Sequence, residues 1–153
     1  NKKSRGFSLL ELLITLLILS IGLLGLAAVQ TVSVKNVNNS QFRTIATHYA
    51  YDIAERMRTN KVGVENGYYA AITGIETDHA CTPCNALQLA QHDAFEWNQL
   101  IKNSPSEGGL PDGNGSVTKN GEFHDIVVSW NEQTRNATGG DLAVQNITLS
   151  VRI

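Results

Sequence analysis

The chain begins with a long apolar run that contains one acidic residue. Between Phe7 and Val29, 23 residues carry a single charged side chain, that of Glu11. A helix of this length rises roughly 35 Å, enough to cross a hydrocarbon core of about 30 Å. A cleaved secretory signal has a shorter apolar core of about 7–15 residues. The pattern therefore predicts a membrane-spanning helix over residues 7–29.

The helical pattern continues beyond this span. The later apolar positions are spaced three or four residues apart, as on one face of an amphipathic helix: Val34, Val37, Phe42, Ile45, Tyr49, Ile53 and Met57. Asp52 and Arg56 stand at i and i+4 on another side. No proline precedes Pro83. We therefore expect one helix from about Phe7 to Thr59, with residues 30–59 as an amphipathic half outside the membrane.

A second helical pattern lies within residues 60–153, which we expect to form a globular head. Residues 85–102 carry an apolar stripe with two further apolar residues beside it: Leu87, Ala90, Ala94, Trp97 and Ile101, with Phe95 and Leu100. Turn-forming residues are frequent in 60–80 and 104–116, so both stretches are predicted as loops, the first with room for one short element.

The pattern then changes to the period of two that is typical of strands. Ile147, Leu149 and Val151 alternate with polar residues, and Ile126, Val128 and Trp130 alternate likewise. Asn120-Gly121 indicates a two-residue hairpin turn. These patterns predict an α+β fold in which the long amino-terminal helix packs on a small antiparallel meander of about three strands.

Charge is distributed in blocks. Lys2, Lys3 and Arg5 precede the span, and positive charge stays on the cytoplasmic side, so the rest of the chain should lie outside the cytoplasm. Residues 60–153 carry five basic and eleven acidic side chains. An acidic head without a basic stripe argues against direct nucleic-acid binding.

The presence of Glu11 in an otherwise uncharged apolar segment can be explained by local helix capping or by a functional role. Ser8 and Glu11 fit the capping box S-x-x-E, which would place the carboxylate at the start of a helix, near the membrane interface. Deep in lipid, a charged residue costs about 2.5–3.5 kcal/mol on insertion scales and is usually paired. The residues around Glu11 decide between these explanations.

The run K-x-x-R-G-F-S-L-L-E, from Lys2 to Glu11, resembles the leader and processing site of type IV prepilins. The resemblance implies that residues 1–6 are a leader, that a prepilin peptidase cuts between Gly6 and Phe7, and that the new amine of Phe7 is methylated. It also implies that Glu11 meets the terminal amine of a neighbouring subunit during assembly. The protein would be held in the inner membrane by a single span and then enter a fibre at the cell surface.

Four further segments are similar to PilV-type minor pilins: Ser20–Gln30, Trp97–Leu100, Leu110–Ser116 and Ile126–Trp130. This resemblance implies a non-enzymatic structural subunit, without a cofactor, that helps to prime fibre assembly. Its partners would be other minor and major pilins and the inner-membrane assembly platform. A pseudopilin of a type II secretion system would be processed in the same way and is the alternative within this superfamily.

A different function is suggested by Cys81-Thr82-Pro83-Cys84, which resembles the C-x-P-C motif of thioredoxin-like proteins. A membrane-anchored thiol oxidoreductase using Cys81 and Cys84 is therefore a second alternative. Thioredoxin-like folds need a βαβ core, however, and here the strands follow one another late in the chain. Since disulfides persist outside the cytoplasm, we expect a structural disulfide before the second helix.

No metal site is predicted. The spacing of His79, Cys81, Cys84 and His92 matches no familiar zinc motif. Asp112 and Asn114 are candidates for calcium ligands, but both residue types are also ordinary in turns. His48 and His124 have no nucleophile pattern beside them, so no catalytic site is predicted from them. Trp97 and Trp130 have no polar cluster that would support ligand binding, and we expect both in the core.

Overall fold

The computed structural model describes residues 8–78, 81–133 and 142–153. Its elements are α1 (Leu9–Thr59), α2 (Lys61–Glu65), β1 (Ala71–Ile72), α3 (Ala86–Lys102), β2 (Asn114–Asn120), β3 (Phe123–Gln133) and β4 (Leu142–Val151), with a short 3-10 helix at Pro105–Glu107. The predicted α+β class, with a long apolar helix and an antiparallel sheet, is confirmed. The chain divides into two units, residues up to Ser40 and residues from Gln41, and each is described by itself.

The predicted long helix forms from Leu9 to Thr59, while Phe7 lies outside the described residues. Its first half is rich in leucine, which has high helix propensity, and contains no proline. The helix ends before Asn60, whose side-chain oxygen accepts a hydrogen bond of 3.1 Å from the Gly63 amide and so caps α2. The same side chain donates to the Tyr69 hydroxyl at 3.1 Å and to the Ala86 carbonyl at 2.9 Å.

The core of the second unit lies between the carboxyl-terminal part of α1, α3 and the sheet. From α1 it receives Ile53, Met57 and the small residues Ala46, Ala50 and Ala54. Phe42, Ile45 and Tyr49 of the predicted stripe are partly buried. Trp97 and Trp130 are core residues as expected, exposed by 0% and 2%.

All four strands of the sheet are antiparallel neighbours in chain order, β1-β2-β3-β4. Alternate β3 residues face the core: His124, Ile126, Val128, Trp130 and Glu132. The prediction of about three strands missed β1, which has two residues and pairs Ala71 with Thr118. The loop prediction for residues 60–80 was also incomplete, because α2 forms there as well.

The hairpin between β2 and β3 turns one residue later than predicted. Asn120 pairs with Phe123, so the two turn residues are Gly121 and Glu122. Gly121 has φ 62°, a left-handed conformation that glycine adopts without steric cost. Glycine at the first turn position suits a type II′ turn, whereas Asn-Gly within the turn would suit type I′.

The second helix matches its predicted position closely. Asn85 and Gln88 form a reciprocal capping box that fixes the start of α3. The predicted loop over 104–116 overran the start of β2 at Asn114. There Gly115 lets the strand approach Trp97, since an added Cβ would lie 2.5 Å from the indole ring.

We predict that Trp97→Ala destabilises the head by about 3–5 kcal/mol, because it removes a fully buried ring and leaves a cavity. It also removes the 2.8 Å hydrogen bond from the indole nitrogen to the Tyr49 carbonyl. Leu100→Ala, on the same helix but with Leu100 39% exposed, is the control and should cost clearly less. Denaturant unfolding of the full chain in detergent measures both, and equal losses would contradict the proposed core.

Candidate functional site

α1 begins with ordinary backbone bonds, and among the described residues the side-chain bonds of the expected capping box between Ser8 and Glu11 do not form. The Ser8 carbonyl accepts hydrogen bonds from the amides of Glu11 at 3.0 Å and Leu12 at 3.2 Å. Ser8 is therefore the residue before the helix, and Glu11 is the third helical residue, in its first turn. Within the described residues, no hydrogen bond or ion pair involves the exposed Glu11 side chain. A carboxylate at a helix amino terminus is favoured by the helix dipole but still lacks a cationic partner here.

Glu11 stands on a helix surface that is apolar all round. The large hydrophobic side chains from Leu9 to Val29 are each between 48% and 80% exposed. By length and composition, α1 is a helix able to cross a membrane. Exposed apolar surface of this extent requires lipid or other helices to cover it. Gly22 and Gly25 have no neighbouring atom where a Cβ would stand, so they are available for close approach by another helix.

The hydroxyl groups along this helix are satisfied within it. Thr15 donates to the Leu12 carbonyl at 2.8 Å and Ser20 to the Leu16 carbonyl at 2.7 Å. Such internal hydrogen bonds make hydroxyls tolerable in an apolar environment, where unsatisfied polar groups are costly. Glu11 has no equivalent arrangement among the described residues, so its charge is the polar feature of this surface that needs a partner.

The structure joins Cys81 and Cys84 in a disulfide with a Cα–Cα distance of 5.0 Å, immediately before the Asn85 cap of α3. The described strands form a sequential antiparallel sheet and contain no βαβ unit. This topology counts against a thioredoxin-like oxidoreductase. The disulfide instead closes the turn that leads into α3.

The candidate zinc ligands have other partners where they are described. The two cysteine sulfurs are bonded to each other, and His79 lies outside the described residues. The ring nitrogens of His92 lie 3.0 Å from Asp78 and 3.4 Å from Glu96. In the described ranges, no three His, Cys, Asp or Glu side chains are grouped to hold a metal ion.

Asp112 and Asn114 also take part in local contacts. Asp112 has φ 48° and accepts a hydrogen bond of 2.8 Å from the Asn131 side chain. Asn114 begins β2 and donates to the Thr73 carbonyl at 3.4 Å. These contacts support the interpretation of both residues as turn and strand-end residues.

Arg56 joins the end of α1 to α3. It contacts Asp52 at 3.2 Å, which confirms the predicted i,i+4 pair, and reaches Asp93 at 3.4 Å and Glu96 at 2.9 Å. Tyr69 donates a hydrogen bond to Asp93. Burial and this carboxylate raise the pKa of Tyr69, so its hydroxyl stays protonated as a donor. Sequence reasoning missed Asp93 and Tyr69, although an aspartate on the apolar side of a helix is a usable signal.

Polar residues occupy both ends of the buried face of β3. Glu132, 5% exposed, lies 3.3 Å from the Arg43 guanidinium. His124, 2% exposed, has no hydrogen-bond partner on either ring nitrogen among the described residues. Desolvation, with a contribution from nearby Lys119, lowers the pKa of His124, and Asp125 opposes this only weakly. His124 is therefore held neutral in the folded head.

Comparison with known proteins bears on the first part of the chain. Residues 1–27 match the model of the prokaryotic N-terminal methylation motif. No curated protein and no solved structure matches the chain. The motif implies processing by a prepilin peptidase and assembly with other pilins, and it supports a pilin-like or pseudopilin protein. With the apolar helix it is consistent with a membrane-anchored pilin, a class made up generally of structural subunits.

We predict that the head loses stability as the pH falls through about 6.5, the ordinary pKa of histidine. Because burial lowers the pKa of His124 in the folded state, the unfolded chain binds more protons in this range. His124→Phe should remove this part of the pH dependence, and His48→Phe, at an exposed position on α1, should leave it unchanged. Unfolding curves between about pH 5 and 8 test this; an unchanged slope in His124→Phe would contradict it.

Proposed function

We propose that this protein is a minor pilin of a type IV pilus, a structural subunit that helps to prime fibre assembly. The observation that carries the proposal is the Glu11 carboxylate, which has no partner among the described residues and lies on an exposed apolar helix within a matched N-terminal methylation motif. An exposed apolar helix surface of this extent is unusual for a soluble enzyme. A subunit that leaves the membrane to pack among sister helices needs it.

Processing would prepare this surface for assembly. Cleavage between Gly6 and Phe7 removes the three positive charges of the leader and creates a new terminal amine four residues before Glu11. Methylation of that amine at Phe7 keeps it cationic. The mature chain would then carry one cation and one anion at the start of its apolar helix.

Glu11 would pair with the terminal amine of a neighbouring subunit. Transfer of a helix from lipid into a bundle of apolar helices brings little net hydrophobic gain, so polar pairing and close packing decide the register. An apolar helix can slide along its neighbours with small changes in contact energy. A single buried ion pair penalises the wrong registers, because each leaves an uncompensated charge.

Several residues that carry the similarity to PilV-type minor pilins lie in the core of the head, which supports the proposed class. Trp97 and Trp130, which carry two of the similarities to PilV-type pilins, are both buried. The segment Leu110–Ser116 leads from the loop after α3 into β2. Leu110 is buried, and a Cβ added at Gly115 would lie 2.5 Å from the Trp97 ring. These similarities therefore involve residues that determine the head fold.

The second candidate is a pseudopilin of a type II secretion system, since the methylation motif is shared by both classes. Shearing of cells separates the two possibilities. A minor pilin should appear in sheared surface fibres at a low ratio to the major subunit. A pseudopilin should remain with the cell envelope.

We predict that the protein isolated from its own membrane begins at Phe7 and carries one additional methyl group. Amino-terminal sequencing combined with intact mass measures the cut site and the methylation together. Inactivation of the prepilin peptidase should restore residues 1–6 to the isolated protein. A native protein that keeps residues 1–6, or that is cut near Ala27, would contradict the proposal.

We predict that Glu11→Ala and Glu11→Gln leave membrane insertion and cleavage intact but reduce incorporation into fibres about tenfold or more, the effect of losing roughly 1.4 kcal/mol of pairing energy. Glu11→Gln keeps the side-chain size and removes only the charge. Thr15→Ala, in the same helix, is the control because its hydroxyl is satisfied internally. Quantitative immunoblots of sheared fibres and membranes measure the ratio, and normal incorporation of both Glu11 variants would exclude the pairing model.

A further inference from the structure

We propose that the free edge of β4 is a docking site for an extended, uncharged strand from a different polypeptide, which adds to the sheet as a fifth strand. β4 has ten residues, Leu142–Val151, and is the last strand in the sheet order. This surface belongs to the head and is separate from the amino-terminal segment that carries the proposed function.

The hairpin register shows which backbone groups of β4 point outward. Asn120 and Phe123 flank a two-residue turn, so they form a hydrogen-bonded pair, and the direction of the backbone groups alternates from there along each strand. Two hydrogen bonds agree with this alternation. The Lys119 amide donates to the Ala70 carbonyl at 3.3 Å on the β1 side, and the Asn131 amide donates to the Pro111 carbonyl at 2.8 Å on the β2 side.

The same alternation continues into β4. The even-numbered residues of β3 direct their backbone groups toward β4, where Ile126 pairs with Leu149 and Val128 with Ile147. The odd-numbered residues of β4 are therefore bonded to β3. The amides and carbonyls that face away from the sheet belong to Leu142, Val144, Asn146, Thr148 and Ser150.

This edge lacks the features that normally prevent strands from pairing. Within the described ranges, no hydrogen bond reaches the outward backbone groups of β4. The strand sequence LAVQNITLSV contains no proline and no charged residue, both of which commonly protect sheet edges. Leu142 and Val144 are 63% and 69% exposed. A row of free donors and acceptors at strand spacing is satisfied most completely by another extended chain.

The side chains define what the added strand should contain. Ile147 and Leu149 face the core but are only partly buried, because no strand lies beyond them in the described structure. Apolar residues at alternate positions of an incoming strand would cover them. On the other face the neighbours would be Val144 and Thr148, which suit small or β-branched residues. A neutral strand with this alternation is the partner that fits.

A second copy of this chain could pair its β4 in register with this edge, but the orientation of the two heads would not suit chains anchored in one membrane. Two antiparallel β4 strands could pair symmetrically about Asn146, with a twofold axis perpendicular to the sheet. That axis would make the two helical segments 41–59 antiparallel, so the chains would enter the two heads from opposite sides. Copies anchored in one membrane enter from the same side. This choice of occupant rests on the proposed anchoring, whereas the free edge itself does not.

The test uses the full chain in detergent and a blocked synthetic peptide of eight alternating valines and threonines with a soluble tag. We expect the peptide to slow amide exchange at least tenfold at Val144, Asn146 and Thr148. Thr148→Pro removes one outward donor and should weaken binding at least tenfold, since proline is tolerated at an edge position whose amide faces solvent. Thr148→Val keeps the amide and should bind as the wild type does.

Val144→Lys adds an edge charge without changing the backbone and should also weaken binding, which keeps the test valid if Thr148→Pro fails to fold. Absence of peptide binding, or equal binding by the edge variants, would overturn the proposal. Protection of the outward amides in the free monomer would show that the chain covers its own edge. Self-association that Val144→Lys abolishes would identify a second copy as the occupant. None of these outcomes depends on cleavage of the leader, so failure here leaves the proposed function standing.

Discussion

A negatively charged group on an apolar helix surface is the constraint on which this protein depends. Glu11 is surrounded by exposed leucine and isoleucine side chains, and no described residue compensates its charge. Insertion scales put the cost of such a charge in the middle of a membrane at about 2.5–3.5 kcal/mol. Near the helix start the free-energy cost of the charge is lower, but it rises again when the helix packs into a helix bundle that excludes water. In the proposed assembly, the helix would gain specificity from a partner cation supplied by another molecule.

The two units of the chain are stabilised in different ways. None of the described residues up to Ser40 is buried, so their apolar side chains need lipid or other helices to cover them. Residues from Gln41 have a core of their own, built from the small residues of α1, the indole of Trp97 and the apolar face of the sheet. Arg56 and its carboxylates add a polar connection between α1 and α3. A head that folds around its own core can be carried from the membrane into an assembly without losing its structure.

The sequence predicted features that depend on neighbouring residues and missed those that depend on distant ones. The apolar periodicity of α1 and α3 is a local pattern, so both helices were placed nearly correctly. β1 has only two residues and exists because β2 offers a pairing edge, which no local pattern records. The partners of Asp93 and Glu132 come from 24 and 89 residues away, so their roles needed the fold. Glu11 was singled out by its position in an apolar run and by the prepilin-like residues around it, whereas the proposed partner would belong to another molecule.

The most direct test of the central claim is zero-length carbodiimide coupling of assembled fibres that contain this protein, followed by mass spectrometry of the linked peptides. Mixed light and heavy isotope labelling distinguishes links between chains from links within one chain. We expect a bond between the Glu11 carboxylate and the terminal amine of another subunit. Coupling of Glu11 only within its own chain, or only to a small amine added to intact fibres, would show that the carboxylate is not paired between subunits.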